Sequence, residues 1–169
     1  MKLQAVITER KRVPRKMLTQ HRRAASAAWL DTARLFIEQM VPSRFTEAHA
    51  REAGYVRRKG ELLPPGSKAF KRSYTGRKLQ KYGHTLPLVA SGETRDNILS
   101  GVSAKATSGG VRIRFPAARK FNYRHPKSQI RMNEEFRRIT HREAVQLGAH
   151  FDRVYDRLMQ SGSEDTTTQ

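Results

Sequence analysis

The stretch Ile98-Leu99-Ser100-Gly101-Val102-Ser103-Ala104-Lys105-Ala106-Thr107-Ser108-Gly109-Gly110-Val111-Arg112-Ile113-Arg114-Phe115 decides the fold class. Ile98, Val102, Ala104 and Ala106 share one parity, and Val111 to Phe115 alternates strictly between apolar and basic residues. Thr107-Ser108-Gly109-Gly110 lies between the two runs. Side chains alternate across a strand and small polar residues favour tight turns, so the pattern predicts a β-hairpin over 98–115. Pro116 ends the second strand, because it has no N–H to donate. A small sheet of this kind leaves open edges, which makes the hairpin a candidate for pairing between subunits. Arg112 and Arg114 then line one face of whatever that sheet builds.

Upstream, the chain runs from Pro14 to Met40 without a further Gly or Pro, and Ala25, Trp29, Ala33, Phe36, Ile37 and Met40 recur at helical spacing. One long amphipathic helix is expected, entered at Pro14 and stopped by Pro42. Its first part carries Arg15, Lys16, Arg22 and Arg23, so that end faces solvent or a partner, while Trp29 and Phe36 belong to the core. Downstream, Thr140-His141-Arg142-Glu143 matches a capping box, and Ala144, Leu147, Phe151, Val154, Tyr155 and Leu158 follow a helical period to about Gln160. Phe121-Asn122-Tyr123 is expected to open another short extended piece before Pro126. Together these elements predict an α+β fold in which an N-terminal and a C-terminal helix pack on a small antiparallel sheet. Residues 1–13 are expected to form an arm, with a strand-like piece at Leu3 to Thr8 and the basic patch Arg10-Lys11-Arg12. Residues 14–160 are expected to form a single domain, and 161–169 a disordered polar tail. There is no internal repeat.

Between helix and hairpin lies a basic linker, 43–81, in which cations alternate with Tyr55, Phe70 and Tyr74. It lacks clear periodicity, so it is expected to be functional or ordered only in part before meeting its partner. Thr46 begins a short helix at Glu47 to Ala53, and Leu63-Pro64-Pro65-Gly66-Ser67 interrupts regular structure. The run Tyr82 to Ile98 follows. Pro87 biases Leu86 toward an extended backbone, Leu88-Val89 is a short apolar clip, and Ser91-Gly92 leads into a polar helix start.

The chain has 169 residues, 37% of them apolar, and a formal net charge of +19. Self-repulsion at that charge destabilises a compact monomer, so a polyanionic partner is expected: nucleic acid or an acidic protein surface. The absence of cysteine removes disulfides, thiolate catalysis and zinc–cysteine sites. No long apolar stretch or secretory signal is read, which makes cytoplasmic assembly the expectation and a membrane partner not.

Reactive chemistry finds little support in the sequence. The six histidines include no pair at the i, i+4 spacing of helical metal ligands. His84, held between Gly83 and Pro87, reads best as a ring hydrogen-bonded to a backbone carbonyl that holds a turn; a small nuclease using it is the poorest hypothesis. Ser91 lacks the Gly-x-Ser-x-Gly frame, and Gly76-Arg77-Lys78 lacks the glycine spacing of a phosphate loop. No enzyme activity, metal or cofactor is expected. The candidate polyanion contacts are Arg57, Arg58, Lys59, Lys71, Arg72, Arg77 and Lys78 in the linker and Arg112 and Arg114 in the hairpin.

The order of these features resembles the virion-morphogenesis and tail-completion proteins of tailed bacteriophages. The resemblance spans roughly 14–160, and its specific part is central: Pro87, Leu88 and Val89, then Ser91-Gly92, then Arg95. Gly83 and His84 precede it, and Thr94 stands where the family usually has a bulky apolar residue. The resemblance implies a structural protein in a ring of identical subunits at the head–tail neck or tail terminus, around the DNA passage. It implies neighbouring neck, connector or tail proteins as partners, nonspecific contact with packaged DNA, and location in the virion after assembly in the host cytoplasm. The competing expectation is a monomeric protein that binds nucleic acid without sequence preference.

Overall fold

A computed structural model describes residues 15–124 and 128–164. Free of Gly and Pro, residues 15–41 form α1 (Arg15–Leu35) and continue as a widened helical turn over Phe36–Met40, where the Val41 N–H donates to the Phe36 carbonyl at 3.0 Å. Pro42 cannot donate to the preceding turn, and the chain tightens into a 3-10 turn, Pro42–Phe45. The buried face of α1 consists of small residues: Ala24, Ala25, Ala28, Thr32 and Ala33. Such a surface lets two neighbours approach closely, and both the hairpin and the last helix pack on α1.

That last helix, α7 (His141–Glu164), starts at the expected capping box: the Glu143 N–H donates to Thr140 Oγ1 at 3.2 Å, and the Thr140 N–H to Glu143 Oε2 at 3.0 Å. It runs antiparallel to α1. Gln20 donates to the Met159 carbonyl, His21 bonds the Tyr155 hydroxyl, Trp29 lies 4.4 Å from Phe151 between ring centroids, and His150 Nε2 meets Asp31 at 2.7 Å. The helix continues past Gln160 to Glu164 and so takes in residues expected to belong to a disordered tail, the rest of which, 165–169, lies outside the described residues; Ser161 extends the turn by donating to the Leu158 carbonyl.

The hairpin consists of β1 (Ser103–Thr107) and β2 (Gly110–Arg114), paired antiparallel with Thr107 opposite Gly110 and Ser103 opposite Arg114. It is narrower than the alternation suggested. Ile98 is buried in a turn where its N–H donates to the Arg95 carbonyl, and Phe115 begins a 3-10 helix. That helix, Pro116–Asn122, replaces the extended piece expected at Phe121-Asn122-Tyr123. Pro116 suits a first helical position, and Ala117, Ala118 and Phe121 all turn toward the core, a helical spacing that alternation does not capture. Leu3 to Thr8 and Pro126 lie outside the described residues.

The linker is more regular than its sequence suggested. It holds α2 (Glu47–Glu52), α3 (Lys68–Arg72) and α4 (Tyr74–Tyr82). Each is started by a hydroxyl that accepts a backbone N–H three residues on: Thr46 from His49, Ser67 from Phe70 and Ser73 from Gly76, at 3.2, 3.0 and 3.0 Å. Two further short helices, α5 (Glu93–Asp96) and α6 (Met132–Arg137), flank the hairpin region. The linker and these helices converge on a core of Val41, Phe45, Tyr55, Leu88, Val89, Ile98, Phe121 and Phe136. Phe136 sits between Phe45 and Phe121, at ring-centroid distances of 6.2 and 5.3 Å. Full burial of each such ring is worth about 1.5–3 kcal/mol.

Candidate assembly site

The hairpin shows two unlike faces. Ala104, Ala106, Val111 and Ile113 are half-buried toward α1, whereas Ser103, Lys105, Thr107, Arg112 and Arg114 are exposed. Lys105 stands directly opposite Arg112 in the register, so two cations share a cross-strand position, with Arg114 two residues along on the same face. Like charges so placed are destabilising. Among the described residues no carboxylate pairs with any of the three. Indeed the sequence has no Asp or Glu between Asp96 and Glu134. Among the described residues the sheet has two strands, and the outer edge of each is unpaired.

The segment Gly83 to Arg95 runs along the other side of the core, and its residues have distinguishable jobs. Gly83 closes α4 in the left-handed region at φ 73°, its N–H donating to the Leu79 carbonyl at 2.8 Å. Such a cap suits glycine. Pro87, Leu88 and Val89 are buried, and Leu88 and Val89 join the central core. Leu88 holds φ 55°, an unusual conformation for a residue with a side chain, at the point where the chain dips into the core. Gly92, buried at φ 95°, begins α5. Ser91 and Arg95 stay exposed, and Arg95 Nε meets its neighbour Asp96 at 2.9 Å. Thr94 is half-buried.

His84 does not hold this turn by a hydrogen bond, contrary to expectation: its buried Nδ1 finds no partner among the described residues, and its ring stacks on Tyr82 at 6.3 Å. Burial, then the nearby charges of Lys78 and Arg95, pushes its pKa below the usual histidine value. Lys78 does the holding, donating through Nζ to the Leu86 carbonyl. Its burial, helped by the Arg58 charge, pushes the ammonium down to about 8.

The linker cations therefore divide. Arg57, Lys59, Lys71, Arg72 and Arg77 are exposed, as a polyanion contact requires. Arg58 and Lys78 are withdrawn from that set. Lys78 is committed inside, and half-buried Arg58 forks onto Glu135, at 2.7 Å from Nη2 to Oε2 and 3.3 Å from Nη1 to Oε1. Glu135 is only 2% exposed and also accepts the Val56 N–H at 3.0 Å, so the fork fastens the linker to α6.

A second buried network was not anticipated. Arg44 is fully buried, and its guanidinium donates to both Glu143 oxygens (2.7 and 3.1 Å) and to the carbonyls of Met40, Phe136 and Arg138 (2.7, 3.1 and 3.3 Å). It also lies 4.6 Å from the centre of the Phe36 ring. Beside it, His49 Nδ1 stands 3.8 Å from Glu143 Oε1, and the His49 ring packs edge-on against Tyr55. His49 Nε2 and the Tyr55 hydroxyl are both buried and find no hydrogen-bond partner among the described residues. Burial, then the Arg44 charge, lowers the His49 pKa, and burial raises that of Tyr55. The sequence signal was an arginine inside the apolar run Val41-Pro42-Ser43-Arg44-Phe45, which a single buried cation with a distant carboxylate explains.

Among the described residues no cluster of three His, Asp or Glu side chains could hold a metal ion, and no helix is long and apolar enough to cross a membrane. No protein-family model, no curated protein and no solved structure matches the chain.

Proposed function

We propose that this protein is a non-enzymatic structural component of a tailed-bacteriophage virion, a ring of identical subunits at the head–tail neck or tail terminus that joins the capsid connector to the tail around the DNA channel. The observation that carries the reading is the hairpin, which among the described residues has open edges on a two-stranded sheet and an outer face of unpaired cations. Edge pairing between copies supplies the partner that each strand lacks, and a polyanion beside the ring offsets the Lys105–Arg112 repulsion. The placement in a virion rests on the resemblance of Pro87 to Arg95 and its surroundings to tail-completion proteins. The opposing reading, a monomeric nonspecific nucleic-acid binder, uses the same cations.

Salt separates the two. The Debye length is about 10 Å at 0.1 M salt and about 3 Å at 1 M, so contacts made through exposed cations fade over that range while a sheet-and-core interface survives. Sedimentation velocity at both ionic strengths is expected to show an oligomer of fixed mass at high protein concentration. Lys105→Glu with Arg112→Glu is expected to weaken duplex DNA binding and leave the oligomer mass unchanged. A monomer at every concentration, with DNA binding that falls steeply with salt, would establish the opposing reading.

A further inference from the structure

At the amino end of α1 an open groove of about 600 Å³ runs between α1 and the last turns of α7. Ala24, Ala27 and Leu158 give it a mainly apolar floor, and Arg15, Lys16 and Arg23 stand on its rim. Among the described residues no acidic side chain lines it. We propose that this groove is a docking site for an acidic amphipathic helix of another protein, about three turns long, with carboxylates at i and i+7 and aliphatic residues between them.

The dimensions and charges argue for that occupant. The lining of α1 from Arg15 to Ala27 spans twelve residues of rise, about 18 Å, which is the length of a three-turn helix. Lys16, Gln20, Arg23 and Ala27 follow the i, i+4, i+7, i+11 positions of one helix face, so the two cations Lys16 and Arg23 sit about 10 Å apart along the axis, the spacing of side chains seven residues apart on a partner. The small residues Ala24 and Ala27 leave room for a third helix to nest beside an antiparallel pair.

The electrostatics of α1 itself points the same way. The described part of α1 opens with Arg15 and Lys16, and no acid stands in its first four residues. An incoming carboxylate meets the rim cations Arg15, Lys16 and Arg23. Residues 1–14 of this chain are the wrong occupant by charge, with Lys2, Arg10, Lys11 and Arg12 against a single Glu9.

The test uses the full-length protein and two synthetic fluorescein-labelled helical peptides of identical composition, one with Glu at i and i+7 flanking Leu, the other with the Glu positions scrambled. Fluorescence anisotropy is expected to show binding of the first at least tenfold tighter than the second. Lys16→Glu with Arg23→Glu is expected to weaken the first peptide at least tenfold, and Ala27→Gln, which keeps the charge, at least fivefold. Arg142→Glu with Arg153→Glu, the same change of net charge on exposed positions of α7, should change it less than twofold. An unchanged thermal midpoint certifies that each variant is folded. The proposal is overturned by the absence of peptide binding, by equal losses from the two charge-reversal pairs, by indifference to Ala27→Gln, or by a duplex DNA that competes for the groove as well as the peptide does. None of these outcomes bears on whether the protein forms rings.

Discussion

Replacing Arg44 with Met probes the joint that fastens the linker turn to α6 and α7. The guanidinium is fully buried, bonded to both oxygens of Glu143 and to three backbone carbonyls. Met fills much of the volume but leaves the Glu143 carboxylate buried, its nearest remaining base being His49 at 3.8 Å. Removing one partner of a buried pair costs about 3–5 kcal/mol, a large share of a total stability of about 5–15 kcal/mol. At about 2–4 °C per kcal/mol for a chain of this size, the thermal midpoint should fall by about 6–20 °C. The assay is urea unfolding followed by the fluorescence of Trp29, with thermal unfolding by circular dichroism alongside. Pairing Arg44→Met with Glu143→Leu removes the stranded charge, so the double variant should be less destabilised than the sum of the single ones by more than about 0.5 kcal/mol. A single variant within about 1 kcal/mol of wild type, or additive effects, would refute the assignment of Arg44 as the joint.

Three other outcomes follow from the same geometry. Burial holds the His49 pKa below its unfolded value, with Arg44, Glu143, Glu52 and Tyr55 around it, so the unfolded chain binds more protons: the contribution is fully present above pH about 6.5 and is lost as pH falls toward the depressed folded value. Since His84 shifts in the same direction, His49→Phe should flatten the fall in stability between pH 7 and 5 without abolishing it, and an unchanged slope would contradict the assignment. A Cβ at Gly76 would lie 2.0 Å from the Phe70 carbonyl oxygen, so Gly76→Ala should destabilise by about 1–3 kcal/mol in urea unfolding; a neutral result would mean that α3 and α4 are not joined this tightly. Gly92 sits at φ 95° and Arg95 is exposed, so Gly92→Val should lose stability along with assembly, whereas Arg95→Ala should change stability by no more than about 1 kcal/mol and still impair oligomer formation in sedimentation. Retained assembly in Arg95→Ala would remove Arg95 from the interface.

How much the residues disclose depends on the range of the force involved. Elements set by local periodicity and caps were legible: α1 from its uninterrupted spacing, the start of α7 from Thr140 and Glu143, α2 from Thr46, and the hairpin from Val111 to Phe115. Short helices escaped because four to nine residues carry too little period, although Ser67 and Ser73 were cap signals of the same kind as Thr46. The buried forks were out of reach, since Arg44 finds Glu143 ninety-nine residues away and Arg58 finds Glu135 seventy-seven residues away. The candidate site shows the same divide. Exposure of Arg112 and Arg114 followed from strand alternation, while the inward commitment of Arg58 and Lys78 depends on where Glu135 and the Leu86 carbonyl come to lie.

Imaging virions in which this chain carries a compact fused density marker tests most directly the proposed role as a ring subunit at the head–tail junction. The expected result is marker density in a closed ring at one level of the head–tail axis, at the neck or the tail terminus, with the hairpin cations turned toward the channel. Particles that contain no copy of the chain, or marker density scattered through the capsid interior with the DNA, would contradict it.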